Sequence, residues 1–262
     1  AMFDKKTEEL TLARDRFGIK PLFYYQNNEF IVFSSEIKGI LKSGLVDARF
    51  REESVDEYLG NRYVREPFTF FKNIKQVKSS CLIEFDKKLK PQEKQYWELP
   101  RLNFSNSFDE KKIIEETGKQ VKQAINRWLI SDVKVGAYLS GGLDSSLTTA
   151  IIADGKNTVD TYTIGFEEKG FNEFEYARLV SQKYNTNHRE FILDKDAYNE
   201  EWEKLIWYKD APLGVPNEIP LSIMSTNLSK EITVVISGEG ADELFGGYGR
   251  IYRLPFDYAN SS

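Results

Sequence analysis

Apolar and polar positions follow two different rhythms along this chain, and they divide it into two halves. In the first hundred residues the apolar runs are short and broken by turn residues. Leu10-Thr11-Leu12-Ala13, after the turn-like Asp4-Lys5-Lys6-Thr7, predicts a strand. Arg14 to Tyr25 and Phe30 to Glu36 flank the polar Gln26-Asn27-Asn28, a hairpin pattern with Gly18 and Pro21 punctuating its entry. Glu36 to Leu41 predicts a short helix, and so does Ser54 to Leu59, where Ser54 and Glu57 have capping-box spacing. Residues 61–78 are polar and aromatic with Pro67, hence irregular, before strands at Ile74–Val77 and Cys81–Phe85. Pro91 to Asn106 reads as a linker, with its Tyr96-Trp97 pair expected to pack between domains.

Beyond residue 107 the rhythm changes to long helical and short strand patterns in alternation. From Phe108 to Leu129, Ile113, Ile114, Val121, Ile125 and Leu129 share one stripe of a helix. Strands are predicted at Val133–Leu139, Asp160–Phe166, His188–Leu193 and from Thr233 to Ser237. Helical patterns follow at Leu147–Ala153 and Asn172–Tyr184, and from about Leu221 after the turn-rich Asp210–Pro220. Such alternation predicts a parallel sheet with helices on its faces. Ligands bind such sheets beyond the carboxyl ends of the strands. Tyr138, Leu139, Ile164 and Gly165 fall near those ends.

Two glycine bends carry the candidate chemistry. The first, Ser140-Gly141-Gly142-Leu143-Asp144-Ser145-Ser146, joins a strand to a helix. Glycines let a backbone approach a ligand closely, and a helix start offers unpaired amides to an anion. Ser140, Ser145 and Ser146 add hydroxyls. Asp144 beside a phosphate cradle is repulsive unless a cation sits between, which Mg²⁺ would resolve. The lysine of GxxxxGK[ST] and the GxGxxG spacing are both missing, and two adjacent glycines alone suit a plain turn equally well. The second bend, Ser237-Gly238-Glu239-Gly240-Ala241-Asp242-Glu243, crowds three carboxylates into one turn. It suits a cation or a substrate ammonium, or alternatively a solvated acidic helix start.

The first bend matches the pyrophosphate loop, SGGxDS, of ATP pyrophosphatases, and the second resembles the asparagine synthetase family almost residue for residue. Leu12 to Tyr25 with Phe33 to Leu41 resembles the end of a class II glutamine amidotransferase domain. The resemblance implies an α/β protein with an α+β N-terminal part. Residues 1–90 would be a remnant of an αββα Ntn-type amidotransferase sandwich and 91–107 a linker. Residues 108–262 would begin a parallel-sheet PP-loop synthetase domain. It assigns ATP to Tyr138, Leu139, Ser140, Gly141, Gly142, Asp144, Ser145, Ser146, Ile164, Gly165, Ser237 and Gly238, with backbone at Tyr138 and Ile164 meeting adenine. Asp144 and Asp242 would share Mg²⁺, Glu239 would orient or deprotonate ammonia, and Asp15 would hold the α-amino group of glutamine. The implied reaction joins aspartate, ATP and glutamine or ammonia through a β-aspartyl-AMP intermediate. A homodimer is one option for the full-length enzyme.

Departures keep other readings open. The family's nucleophile is a cysteine at the mature N-terminus, whereas Ala1 opens this chain and Cys81 sits in an apolar strand pattern, a structural thiol. This chain is therefore expected not to hydrolyse glutamine. The family continues past a stretch such as Leu254–Ser262 into a helical region, so the sequence reads as the middle of a longer enzyme. Asparagine synthetases often have an acidic residue and a serine where Val215 and Asn217 stand. Adenylation of another carboxylic acid, as in β-lactam synthetases, or a non-catalytic nucleotide-binding fragment, are the alternatives.

Composition narrows the setting. Hydrophobic residues make up 40% and aromatics 14%, which suits packed cores. Net charge is −5, so no nucleic-acid partner is implied. Apolar runs are too short for a bilayer, and Asp4, Lys5 and Lys6 stand where a signal peptide would be apolar, so a cytoplasmic setting without a membrane is expected. One cysteine excludes an internal disulfide, and the lone His188 at a strand start reads as structural.

Overall fold

A computed structural model describes residues 1–100, 109–155, 158–168, 170 and 172–249. The expected features at residues 101–107, Phe108 and 254–262 lie outside these. The chain divides into two compact units, Ala1–Phe104 with Trp202–Glu218, and Ser105–Glu201 with Ile219–Ser262.

The first unit is built on two antiparallel sheets. Strands β1 (Met2–Asp4), β2 (Glu9–Ala13), β3 (Phe23–Gln26) and β4 (Ile31–Ser34) precede helices α1 (Ile37–Lys42) and α2 (Glu53–Asn61). Strands β5 (Ile74–Gln76), β6 (Cys81–Phe85) and β7 (Pro91–Gln95) follow. The sheet orders are β1-β2-β6-β7 and β4-β3-β5, so the predicted hairpin is the β3–β4 pair. Alternation along β3 sets the layers. Tyr24 faces Leu12, Ile83 and Phe85 of the first sheet, while Phe23 and Tyr25 pack on the other side with Ile37 and Ile40 of α1.

Three expectations are corrected here. Ser54 does not cap α2; Glu52 holds that position, and the buried Ser54 hydroxyl donates to Thr69 O at 2.8 Å. Glu57 instead pairs with Arg65. Pro91–Gln95 is not linker but an edge strand, in register with β6 from Cys81↔Gln95 to Phe85↔Pro91. Its five residues are all exposed, so it shows no apolar alternation, and proline is tolerated at the start of an edge strand. Tyr96 and Trp97 pack inside the first unit rather than between domains. The Tyr96 hydroxyl donates to Arg14 O at 2.6 Å, and Trp97 meets Phe17 edge-on with centroids 5.2 Å apart.

The second unit alternates helix and strand: α3 (Glu110–Trp128), β8 (Val135–Tyr138), α4 (Leu143–Asp154), β9 (Asp160–Phe166), α5 (Phe174–Tyr184) and β10 (Asn187–Leu193). Then come α6 (Lys195–Lys209), which belongs to the first unit from Trp202 onward, α7 (Glu218–Leu228), β11 (Val234–Ile236) and α8 (Ala241–Phe245). The sheet is wholly parallel, in the order β10-β9-β8-β11. Ala137, Ile152 and Val159 form a core with Ile125, Leu129 and Ile236 on the α3–α4 face. Tyr162, Met224, Leu228 and Ile232 form another on the α7 face, with Tyr138, Ile164 and Val235 against it. The α3 stripe is only half used. Ile125 and Leu129 reach the core, but Ile113 and Ile114 are exposed because the helix extends past the sheet contacts. Among the described residues no helix is long and apolar enough to cross a membrane.

Candidate active site

The sheet order puts β11 beside β8, in register from Val234↔Val135 to Ile236↔Ala137. Both strands therefore end at one level, and both glycine bends leave the sheet side by side. The contact is close. A Cβ built on Gly238 would lie 3.0 Å from Asp144 Cβ and 3.1 Å from both Asp144 C and Ser145 N. Any side chain there would make the start of α4 give by a few tenths of an ångström.

The first bend is held from within. Gly141 has φ +85°, and its missing side chain admits the start of α5: a Cβ there would stand 2.6 Å from Ala177 N. Ser140 and Ser145 hydroxyls lie 2.9 Å apart, Gly142 N donates to Ser140 Oγ at 3.2 Å, and Ser145 Oγ donates to Gly142 O at 3.2 Å. Helix α4 starts at Leu143 with no side-chain cap, so its first-turn amides lack intrahelical partners. Ser146 Oγ is buried without a hydrogen-bond partner among the described residues. In the second bend Gly240 has φ +91° and Glu239 N donates weakly to Ser237 Oγ at 3.4 Å. The Glu239 side chain is exposed.

The end of β9 has an open edge. Tyr162 O accepts from Leu139 N at 2.8 Å, and the Thr163 hydroxyl donates to Leu139 O. Two strand positions beyond Ile164, Asn172 takes both backbone groups of Phe166, at 2.6 Å and 2.5 Å. Alternate residues of a strand direct their backbone groups to the same edge. Ile164, between these two clamps, thus turns its N–H and C=O to the side where β8 has already ended at Tyr138. Gly165 is required next to it, since a Cβ there would come within 2.5 Å of Asn172 Oδ1 and Phe174. Sequence reasoning missed Thr163, Asn172 and Ser225, whose hydroxyl meets that of Tyr138 at 2.8 Å. No periodic pattern marks them: Thr163 and Ser225 act on residues distant in sequence, and Asn172 closes the irregular β9–α5 connection onto Phe166.

The acids have separate surroundings. Asp144 and Asp242 are half-buried, and neither carboxylate has a cationic or hydrogen-bonding side chain on it among the described residues. No three His, Cys, Asp or Glu among the described residues gather as a set able to hold a metal ion by themselves. Asp144 and Asp242, on adjoining bends, supply two carboxylates, the number suited to Mg²⁺, which takes one or two and completes its shell with water and phosphate oxygens. Glu243 accepts from the Tyr248 hydroxyl at 2.7 Å, which lowers the carboxyl pKa and pushes that of the phenol up to about 12.

Asp15 belongs to the first unit. Its carboxylate accepts from Lys20 N at 2.9 Å and Ile19 N at 3.0 Å, and these amides, Lys20 first, hold its pKa below the usual aspartate value. A carboxylate has about four acceptor positions, so capacity for an ammonium remains. Buried Arg14 fastens the same loop, donating to Gly18 O at 2.6 Å, Lys20 O at 2.9 Å and Val77 O at 2.9 Å, and pairing with Glu66. Cys81 is buried, and burial raises its thiol pKa. His188 Nδ1 lies 3.0 Å from Thr161 Oγ1.

The family model described as asparagine synthase matches residues 116–260, more than half of the 262 residues. The chain belongs to the asparagine synthase family. A glutamine amidotransferase domain model matches residues 1–97. A putative asparagine synthetase (glutamine-hydrolyzing) 2 of Methanocaldococcus jannaschii is 34% identical over 252 residues, 94% of this chain and 48% of that protein. Asparagine synthetase (glutamine-hydrolyzing) 1 of Bacillus subtilis is 33% identical over 255 residues, 97% of this chain and 40% of the relative. The chain thus spans less than half the length of these relatives. An NH3-dependent NAD synthetase structure from Campylobacter jejuni has a TM-score of 0.36 and 19% identity, over 55% of this chain and 62% of that one, a likeness too weak to argue from.

Proposed function

We propose that this asparagine synthase family chain carries the ATP-binding bends of an enzyme that converts aspartate to asparagine. One observation carries the reading: Gly238 packs on Asp144, so two phosphate-type bends and their acids share one end of the sheet. In the proposed reaction a β-carboxylate oxygen of aspartate bonds to the α-phosphorus of ATP, and the bond to the β-phosphate oxygen breaks. Pyrophosphate leaves. Ammonia then bonds to the activated carbonyl carbon, and AMP leaves with the bonding electrons.

The residues have distinct parts in this. Amides at the start of α4, with Ser140, Ser145 and Ser146, orient the phosphates. Backbone at Tyr138 and Ile164 receives adenine, supported by the open β9 edge. Asp144 and Asp242 would hold Mg²⁺, which supplies charge compensation for the departing pyrophosphate. Glu239 accepts a proton from the attacking amine, a general-base role suited to its exposed carboxylate. Asp15 holds the α-amino group of glutamine in the amidotransferase domain, the proposed nitrogen source.

Val215 and Asn217 support a second reading, the same adenylation applied to another carboxylic acid. Pyrophosphate release by the full-length protein, with ATP, Mg²⁺, ammonium and a panel of acids, separates the two. Release that requires aspartate is expected; release with a different acid and none with aspartate would overturn the first reading in favour of the second.

A further inference from the structure

The first turn of α5 rests on two glycines at once. A Cβ on Gly141 of the first bend would stand 2.6 Å from both Tyr176 C and Ala177 N. A Cβ on Gly165, near the end of β9, would stand 2.5 Å from the Phe174 ring. Phe174 and Ala177 are buried, so the turn is wedged against the ends of β8 and β9. Glu173, just before α5, gives it no side-chain cap. Arg178, one residue beyond Ala177, ties the turn to the sheet instead. Its guanidinium grips Glu190 of β10 at two points, Nε donating to Oε1 at 2.7 Å and Nη2 to Oε2 at 2.6 Å. The same group lies 5.8 Å from the centre of the Phe174 ring. Glu190 is in register with Thr163, whose hydroxyl fastens Leu139 O just ahead of the first bend.

Glycine accepts both hands of the backbone map, so a glycine bend takes its shape from what it rests on. Gly141, at φ +85°, rests on Tyr176 and Ala177. The directions of the amides that follow, at the start of α4, then depend on where the α5 turn stands. The ion pair contributes little to overall stability, because its side chains are 55% and 23% exposed and water screens them. Its two parallel hydrogen bonds nevertheless fix direction as well as distance, which a single contact between charges does not.

We propose that the Arg178–Glu190 pair is a strut that sets the first turn of α5 behind the first glycine bend, making both residues positioning residues for the phosphates of ATP. The ATP part rests on the function proposed above; the strut itself does not. Both side chains act through Tyr176, Ala177 and Gly141 rather than on the nucleotide. Their loss therefore loosens the hold on ATP and leaves the hold on aspartate unchanged.

The test uses the full-length protein with ATP and Mg²⁺ as the probe. In Arg178→Met, amide hydrogen exchange across 176–181 is expected to rise about fivefold, the scale of one well-aligned exposed ion pair, with 220–228 unchanged. The calorimetric dissociation constant for ATP, and KM for ATP in aspartate-dependent pyrophosphate release, should rise by the same factor, with KM for aspartate and kcat as in the parent. A double variant, Arg178→Met with Glu190→Gln, should bind ATP no more weakly than Arg178→Met alone, since both changes remove one interaction. Exchange equal to the parent's, or losses that multiply in the double variant, overturns the strut. ATP affinity equal to the parent's, or an equal rise in KM for aspartate, overturns the positioning role. Should Arg178→Met fail to fold, Glu190→Gln, which keeps the shape and one acceptor oxygen, is read by the same exchange and affinity criteria. If the parent binds no ATP, the proposed function fails, and exchange alone still decides the strut.

Discussion

Gly238 rests directly on Asp144, where an added Cβ would stand 3.0 Å from Asp144 Cβ and 3.1 Å from Asp144 C. Its φ is not in the left-handed region, so close approach and not backbone conformation demands the glycine. Gly238→Ala must push the two bends apart by a few tenths of an ångström. A misplacement of about 1 Å at a reacting centre can cost about a hundredfold in rate, so a shift of a few tenths costs about fivefold. Aspartate-dependent pyrophosphate release is therefore expected to fall about fivefold while the urea midpoint moves little; unchanged turnover would count against the shared site.

The two carboxylates at this junction should behave alike. Asp144→Asn and Asp242→Asn each remove a charge from the proposed Mg²⁺ site without changing side-chain shape. The Mg²⁺ concentration for half-maximal pyrophosphate release is expected to rise about tenfold or more in either variant. A titration with the parent's midpoint would remove that residue from the metal site.

Adjacent glycines of the first bend should differ. Gly141 has φ +85° and would drive a Cβ to 2.6 Å from the backbone nitrogen of Ala177, whereas Gly142 meets only Ser140 Oγ, at 3.3 Å. Overpacking of the first kind costs about 1–3 kcal/mol, with the left-handed backbone adding to it. Urea unfolding should show Gly141→Ala clearly less stable than Gly142→Ala.

Arg14 is the hub of the Asp15 loop. Its guanidinium holds three carbonyls and Glu66 from a position only 7% exposed. Leaving buried carbonyls without their donor costs about 1–3 kcal/mol, and Glu66, about a third exposed, keeps Ser79 as a partner. Arg14→Met is expected to destabilise the first unit on that scale, read as a lower denaturation midpoint for its tryptophan and tyrosine signals.

His188 predicts a pH dependence. Burial lowers its pKa below the ordinary histidine value, despite the opposing pull of Glu190, while Arg178 on α5 adds to the lowering. The unfolded chain then binds the proton more readily than the folded one. Stability is full above the unfolded pKa of about 6.5 and falls as pH drops from there through the folded value. His188→Gln should flatten the stability profile of the parent over that range; an unchanged slope would assign it to other groups.

What local chemistry alone determined was the list of parts. Two glycine bends after β-branched strands, the helix–strand alternation, and the hairpin around Gln26-Asn27-Asn28 depend on neighbours a few residues apart, and periodicity records those. Tertiary structure decided which parts meet. That β11 lies beside β8, setting Gly238 on Asp144, is a pairing across about a hundred residues, and no local pattern encodes strand order. The edge strand Pro91–Gln95 escaped notice because exposed strands need no apolar alternation. The attachment of Asp210 to Lys38 was hidden for the same reason as Arg14: a buried charge is made tolerable by partners distant in sequence, and only the folded chain supplies them.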